Sequence, residues 1–132
     1  MEMKIYFPGN KRVYAEYKGF TIKTDQSVHN GGDGSAPQPF DLFLASIGTC
    51  TAAYVNAFCQ RRGIDPKEVA VIQSVEKDPA KRMITRINIK IQLPPDFPEK
   101  YKTALIKSAS QCAVKKHMED EPVLNLYTTT RE

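Results

Sequence analysis

The alternation of apolar and polar positions predicts short strands in the first quarter of the chain. Three stretches there are rich in β-branched and aromatic residues: Lys4 to Phe7, Arg12 to Tyr17 and Phe20 to Thr24. The turn sequences Pro8-Gly9-Asn10 and Lys18-Gly19 separate them. Strand-forming residues between closely spaced turn signals predict an antiparallel meander.

The next segment, residues 27–39, has no periodicity and contains three glycines and two prolines. This composition excludes a helix interior or a central strand. A glycine-rich loop can hold a phosphate, but no lysine followed by serine or threonine accompanies these glycines. The segment is therefore interpreted as a surface connection.

Residues 40–62 form an apolar segment that predicts a long helix. Pro39 suits its first turn, and Asp41 complements the positive end of the helix dipole. Charged residues are nearly absent before Arg61 and Arg62, so the helix is apolar on all sides and must be covered on all sides. A chain of 132 residues can scarcely do this alone, so a second subunit is expected.

The remainder predicts two strands, a second helix and a closing strand. Residues 69–76 and the alternating residues 87–93 are the strands, joined by a turn at Asp78-Pro79-Ala80. A helix follows from Pro98, with one stripe formed by Tyr101, Leu105, Ser108, Ala109 and Cys112. The stretch from Val123 to Thr130 closes the chain. Antiparallel strands separated by two helices predict an α+β fold in one domain, residues 1–132.

Charge and composition narrow the classes of function. Nineteen basic and fifteen acidic residues give a net charge of +4, and these charges are scattered, which argues against nucleic-acid binding. No apolar run is expected to span a membrane, and the start lacks the pattern of a leader peptide. We therefore expect a soluble, cytoplasmic protein.

Cys50, Cys59 and Cys112 are the candidate reactive groups, because three cysteines are too few for a disulfide framework. Cys59 lies nine positions after Cys50, which places the two on opposite sides of one helix at about 100° per residue. Cys50 and Cys112 each fall on the apolar stripe of a helix. They are either core residues or a thiol pair that meets across a helix packing. With only two histidines, no metal site is predicted.

The segment from Pro39 to Ala52, with Cys50 eleven positions after the proline, resembles the central helix of the OsmC/Ohr family. These are the osmotically inducible protein C and organic hydroperoxide resistance proteins. The segment from Ser108 to Lys115 resembles the family's second cysteine block, and Gly31 to Pro37 fits the loop that enters the helix. The likeness spans nearly the whole chain.

The resemblance implies an OsmC-like α+β fold: antiparallel sheets, a long buried central helix and a second helix, in an intertwined homodimer. It also implies a thiol peroxidase that reduces organic hydroperoxides without a cofactor. Cys50 would be the peroxidatic thiol that becomes a sulfenic acid, and Cys112 the resolving thiol that forms a disulfide with it. An external dithiol would then reduce this disulfide.

In the peroxidase members an arginine early in the chain activates the first cysteine. A glutamate ten residues before that cysteine holds the arginine in place. Arg12 is the candidate arginine here, while Phe40 stands at the glutamate position and Asp41 is its neighbour. Ala113 also replaces the family's proline, so the chain matches a less characterised branch. Two alternatives remain open: a weakly catalytic dimer that binds an apolar ligand, and a hot-dog thioesterase with Asp41 as the acid.

Overall fold

The computed structural model describes residues 1–131 and shows an α+β protein with two compact units, residues 1–46 and the chain from Ile47 onward. The first unit contains an antiparallel sheet in the order β1-β2-β3, formed by β1 (Lys4–Gly9), β2 (Arg12–Tyr17) and β3 (Phe20–Thr24). The predicted meander is confirmed. Arg12 is the first residue of β2, as the predicted strand from Arg12 to Tyr17 has it.

The loop after β3 is built around the buried carboxylate of Asp25. Its oxygens accept hydrogen bonds from the Ser35 hydroxyl at 2.6 Å, the Ser35 N–H at 3.0 Å and the Gln26 N–H at 2.7 Å. The bonds from Ser35 lower the pKa of Asp25 to about 2. A Cβ at Gly32 would lie 2.1 Å from the Gln26 carbonyl oxygen, so this loop requires glycine there. It is more ordered than the plain surface connection that was predicted.

Helix α1 (Pro39–Arg61) has well-defined ends. The Asp41 carboxylate accepts a hydrogen bond at 3.1 Å from the backbone N–H of Gln38, the residue that precedes the helix. This contact satisfies a donor that the helix itself leaves free, as in a capping box. At the other end, Gly63 takes a left-handed φ of 65°, a conformation that glycine adopts readily just past the end of a helix.

Within this single chain only one stripe of α1 is buried, and the cover that the sequence predicts for its other sides was expected from a second subunit. The buried residues are Ile47, Thr51, Val55, Phe58 and Cys59. Phe40 and Phe43, nearer the start, remain 56% and 42% exposed. By length and composition alone α1 could also cross a membrane, with a mean hydropathy of 1.5, contrary to the expectation from the sequence. The core helix of a soluble protein passes the same test, so this is weak evidence for a span.

The second unit combines the C-terminal part of α1 with a hairpin and two short helices. The hairpin consists of β4 (Ala70–Asp78) and β5 (Met83–Gln92), and the helices are α2 (Lys102–Ala109) and α3 (Ala113–Glu119). Its core contains Val55, Phe58, Cys59, Phe97, Leu105 and Ala109. The Arg62 guanidinium lies 3.6 Å from the centre of the Phe58 ring and 5.3 Å from that of Tyr101. These contacts fix the entry to α2 against the end of α1.

Two predictions for the C-terminal third are wrong. The second helix is interrupted between Ala109 and Ala113, so Cys112 is not on a continuous helical stripe but caps α3 in an extended conformation, with φ −50° and ψ 126°. The predicted closing strand is absent: residues 121–131 belong to no helix or strand and are exposed. Backbone groups in a strand need a neighbouring strand, and this segment pairs with none among residues 1–131.

Candidate thiol site

Cys50 and Cys112 come together within the second unit. Cys50 lies in α1 and is half-buried, whereas Cys112 is completely buried at the start of α3. Their side chains are within hydrogen-bonding reach of each other. The interruption between α2 and α3 turns the chain so that the Cys112 sulfur meets the α1 stripe that carries Thr51. Of the two interpretations of these cysteines, the geometry favours a thiol pair.

The environment of Cys112 stabilises its thiolate. Burial raises the pKa of this thiol, because it disfavours the charged form. Hydrogen bonds from the side chains of Cys50 and Thr51 and from the backbone N–H groups of Lys115 and Val114 outweigh burial and lower the pKa. The Lys115 N–H lies 3.5 Å from the sulfur, at the distance expected for a weak bond to sulfur. The contact with the Cys50 side chain is therefore one of the causes that lower the pKa of Cys112.

Cys59 belongs to the core and not to this pair. It is completely buried among the aromatic and aliphatic side chains of the second unit. Burial raises the pKa of its thiol, and the positive charge of Arg62 offsets this only in part. A buried neutral thiol is a poor nucleophile, so its environment is that of a small apolar residue.

Arg12 makes its contacts within the first unit. Its Nη2 donates to the Asp33 carboxylate at 2.9 Å, and the hydrogen bond and charge of Asp33 raise the pKa of the guanidinium. Asn10 donates to the same carboxylate at 3.3 Å. The Arg12 Nε is buried and has no hydrogen-bond partner among residues 1–131. The acid that pairs with Arg12 is thus Asp33, in the glycine-rich loop of residues 27–39, and not Asp41, the neighbour of Phe40.

The remaining candidates have local roles. Asp41 caps α1, and Phe40 packs against Phe43 with 5.5 Å between ring centres. The His117 ring lies 2.6 Å from the Ala113 carbonyl oxygen, on the exposed side of α3. No group of three or more potential metal ligands occurs in the described part of the chain.

Sequence reasoning missed two contributors to the site, Thr51 and the backbone of Lys115. Thr51 is the neighbour of Cys50 in sequence, yet its buried hydroxyl lies within reach of Cys112 as well as 3.0 Å from the Ile47 carbonyl oxygen, and its one proton can bond to either of them in turn. Helical periodicity places a residue on a face but does not say what packs there. The Lys115 N–H becomes available because α3 restarts after Cys112, and the periodicity predicted one uninterrupted helix.

The fold agrees with a comparison against family models. The model for OsmC-like proteins matches residues 32–126, more than two thirds of the chain, so this protein belongs to the OsmC family. Membership removes the hot-dog thioesterase from the alternatives. A comparison with curated proteins gave no significant match.

Solved structures show the same fold at low sequence identity. A Psychrobacter arcticus protein assigned to the osmotic-stress and detoxification response is 23% identical, with a TM-score of 0.69 over 86% of this chain and 85% of that one. The OsmC-like protein of Mycoplasma pneumoniae is 16% identical, with a TM-score of 0.65 over 91% and 87%. A Legionella pneumophila organic hydroperoxide resistance protein is 18% identical, with a TM-score of 0.51 over 89% and 87%. At such identities the comparisons establish the fold alone.

Proposed function

We propose that this protein reduces organic hydroperoxides, with Cys50 and Cys112 as a disulfide-forming pair and an external dithiol as reductant. The observation that carries the proposal is the contact between these two side chains, one of which is set up to hold negative charge. Family membership and the hydroperoxide-resistance proteins among its structural neighbours support the choice of substrate.

In the first step, the Cys50 sulfur attacks the outer oxygen of the hydroperoxide and the O–O bond breaks. The Cys50 proton passes to the Cys112 thiolate, which lies within hydrogen-bonding reach of Cys50, and then to the leaving alkoxide to give the alcohol. Cys50 is now a sulfenic acid, oxidised by two electrons.

In the second step, the Cys112 thiolate attacks the sulfenic sulfur. An S–S bond forms, and hydroxide leaves and takes a proton from solvent to become water. The external dithiol then donates two electrons and two protons and itself becomes a disulfide; Cys50 returns to its thiol, and Cys112 returns to its thiolate when its proton is released to solvent. No cofactor is needed for this cycle.

Arg12 is proposed as the cation that supports the Cys50 thiolate. Its pairing with Asp33 supports this role, because the pair holds the guanidinium in a fixed position much as the family's glutamate is expected to hold its arginine. Asp41 is the second candidate acid, and its contact with Gln38 already accounts for its position.

A homodimer is proposed from the apolar surface that one chain leaves uncovered. Besides Phe40 and Phe43 on α1, the C-terminal segment exposes four apolar side chains to between 81% and 95%: Val123, Leu124, Leu126 and Tyr127. Exposed apolar surface of this kind is costly in water and marks contacts between proteins. Sedimentation equilibrium at micromolar concentration tests the dimer, and a single 14.9 kDa species would contradict it. A cytoplasmic location is part of the proposal.

The experiment that tests the chemistry is peptide mapping by mass spectrometry after one equivalent of cumene hydroperoxide. We expect a Cys50–Cys112 disulfide in the wild type. Cys112→Ser still consumes one equivalent, more slowly, and accumulates sulfenic and sulfinic acid on Cys50, whereas Cys50→Ser consumes almost none. Both thiols remaining free after treatment, or a Cys50–Cys59 link, would refute the peroxidase and favour the dimer that binds an apolar ligand without turnover.

A further inference from the structure

The two sulfurs of the thiol pair differ in how far a molecule from solvent can reach them. Cys112 is completely buried, with an exposed fraction of 0%. Cys50, which lies in the middle of α1, is only half-buried. A thiolate reduces a disulfide by attacking one of its two sulfurs, and the rate depends on access to that sulfur. Access therefore favours attack on the Cys50 sulfur when the pair is oxidised.

The donors around the Cys112 sulfur favour the same direction of attack. Attack on Cys50 expels Cys112 as a thiolate, and a thiolate leaves faster when its charge is stabilised. Three donors outside the pair can bond to the departing sulfur: the hydroxyl of Thr51 and the backbone N–H groups of Val114 and Lys115. The Lys115 N–H lies 3.5 Å from that sulfur, where Cys112 caps α3. None of these donors belongs to Cys50, so oxidation of the pair removes none of them.

The Thr51 hydroxyl is suited to a sulfur that gains charge during the reaction. This buried group has one proton and two acceptors in reach, the Ile47 carbonyl oxygen at 3.0 Å and the Cys112 sulfur. A neutral sulfur accepts weakly, so in the disulfide the proton bonds to the carbonyl oxygen. A thiolate accepts a stronger, charge-assisted bond, so the hydroxyl turns to Cys112 as that sulfur leaves. The bond to Thr51 is therefore strongest once the S–S bond has broken.

We propose that the dithiol reductant attacks the Cys50 sulfur, so that Cys50 carries the mixed disulfide and Cys112 leaves, with Thr51 as the positioning residue for the leaving thiolate. A bond forms between the reductant sulfur and Cys50, and the S–S bond of the pair breaks with its electrons on Cys112. The second thiolate of the reductant then attacks the reductant sulfur in the mixed disulfide and expels Cys50. Of the two protons that the reductant loses, one returns to Cys50 and the other enters solvent. The need for this step rests on the proposed function.

The attacked sulfur is identified in an experiment that uses no peroxide. Diamide oxidises the pair in the Cys59→Ala variant, which lacks the third thiol, and an excess of the monothiol 2-mercaptoethanol then opens the disulfide. Acid quenching at short times preserves the mixed disulfide for peptide mapping by mass spectrometry. Extrapolated to zero time, we expect the adduct on Cys50 in roughly tenfold excess over Cys112. An adduct mainly on Cys112, equal amounts on both, or no disulfide between them after diamide overturns the proposal.

Variants at Thr51 test the stabilisation of the leaving thiolate. Thr51→Val removes the hydroxyl and should slow reduction of the diamide-formed disulfide roughly tenfold, because a hydrogen bond to a charged group is lost. It should also raise the lower pH midpoint of the ultraviolet thiolate absorbance in the reduced protein. Thr51→Ser keeps the hydroxyl and should restore both. Thr103→Val is the matched control, because it removes a hydroxyl from the exposed surface of α2 and should change neither. Equal effects at the two positions, or no rescue by serine, contradict the role of Thr51.

This proposal and the proposed function fail in different ways. An adduct on Cys50 in a protein that consumes no cumene hydroperoxide supports the choice of sulfur and refutes the peroxidase. Peroxide turnover together with an adduct on Cys112 supports the peroxidase and refutes the choice of sulfur.

Discussion

Replacing Cys59 with alanine separates the structural thiol from the proposed reactive pair. Cys59 is completely buried against Val55, Phe58 and Leu105, so the change deletes one heavy atom from a packed core. The loss is similar to that of one buried methyl group, about 0.5–1.5 kcal/mol in the free energy of unfolding. For a chain of this length, that corresponds to a fall in Tm of roughly 2–6 °C.

Free-thiol titration in denaturant measures the chemical side of this prediction. After one equivalent of cumene hydroperoxide, the wild type should fall from three free thiols to one, and Cys59→Ala from two to none. Cys59→Ser is the matched control, because it buries a hydroxyl at the same place and costs about 1–3 kcal/mol without a partner. Both variants should consume peroxide at the wild-type rate despite their different stabilities, measured at equal protein concentration.

The reasoning fails if the Cys59→Ala variant consumes no peroxide or retains both thiols. Either result would mean that Cys59 supplies one of the reacting sulfurs and that the observed contact between Cys50 and Cys112 is not the reactive one. An unchanged Tm would contradict the packing argument alone.

Three further predictions concern the first unit. Arg12→Ala should slow peroxide consumption without changing the identity of the disulfide, which stopped-flow kinetics with peptide mapping can check; an unchanged rate would remove Arg12 from the site. Hydrogen bonds from Ser35 lower the pKa of Asp25 to about 2, below its value in the unfolded chain. The contribution of Asp25 to the free energy of unfolding is therefore present above about pH 4 and is lost as the pH falls towards 2. Urea unfolding at several pH values should show that Asp25→Asn abolishes this dependence. Gly32→Ala should destabilise the loop by about 1–3 kcal/mol, since its Cβ would overlap the Gln26 carbonyl, and an unchanged urea midpoint would contradict that.

Local signals in the sequence determined the first half of the fold. The turn residues and β-branched stretches placed β2 and β3 at their observed bounds, because these signals act between residues close in the chain. The start of α1 followed in the same way from Pro39 and Asp41, and the apolar segment 40–62 predicted its end to within one residue. The resemblance to the OsmC/Ohr family, carried by the segments around Cys50 and Cys112, identified the family that the comparison confirmed.

Tertiary structure decided the features that depend on distant residues. The stripe containing Cys112 suggested one continuous helix, but α2 ends at Ala109, and α3 restarts with Cys112 as its cap. Because of this break, Cys112 accepts the backbone hydrogen bonds that lower its pKa, and the helical periodicity of the sequence did not predict these donors. Likewise, Arg12 pairs with Asp33 and not with Asp41. The sequence did not predict this pairing, because β2 and the glycine-rich loop are separated along the chain and meet only after folding. Hydrogen bonds and pockets depend on distances between elements, and those distances are set by packing, not by the order of residues along the chain.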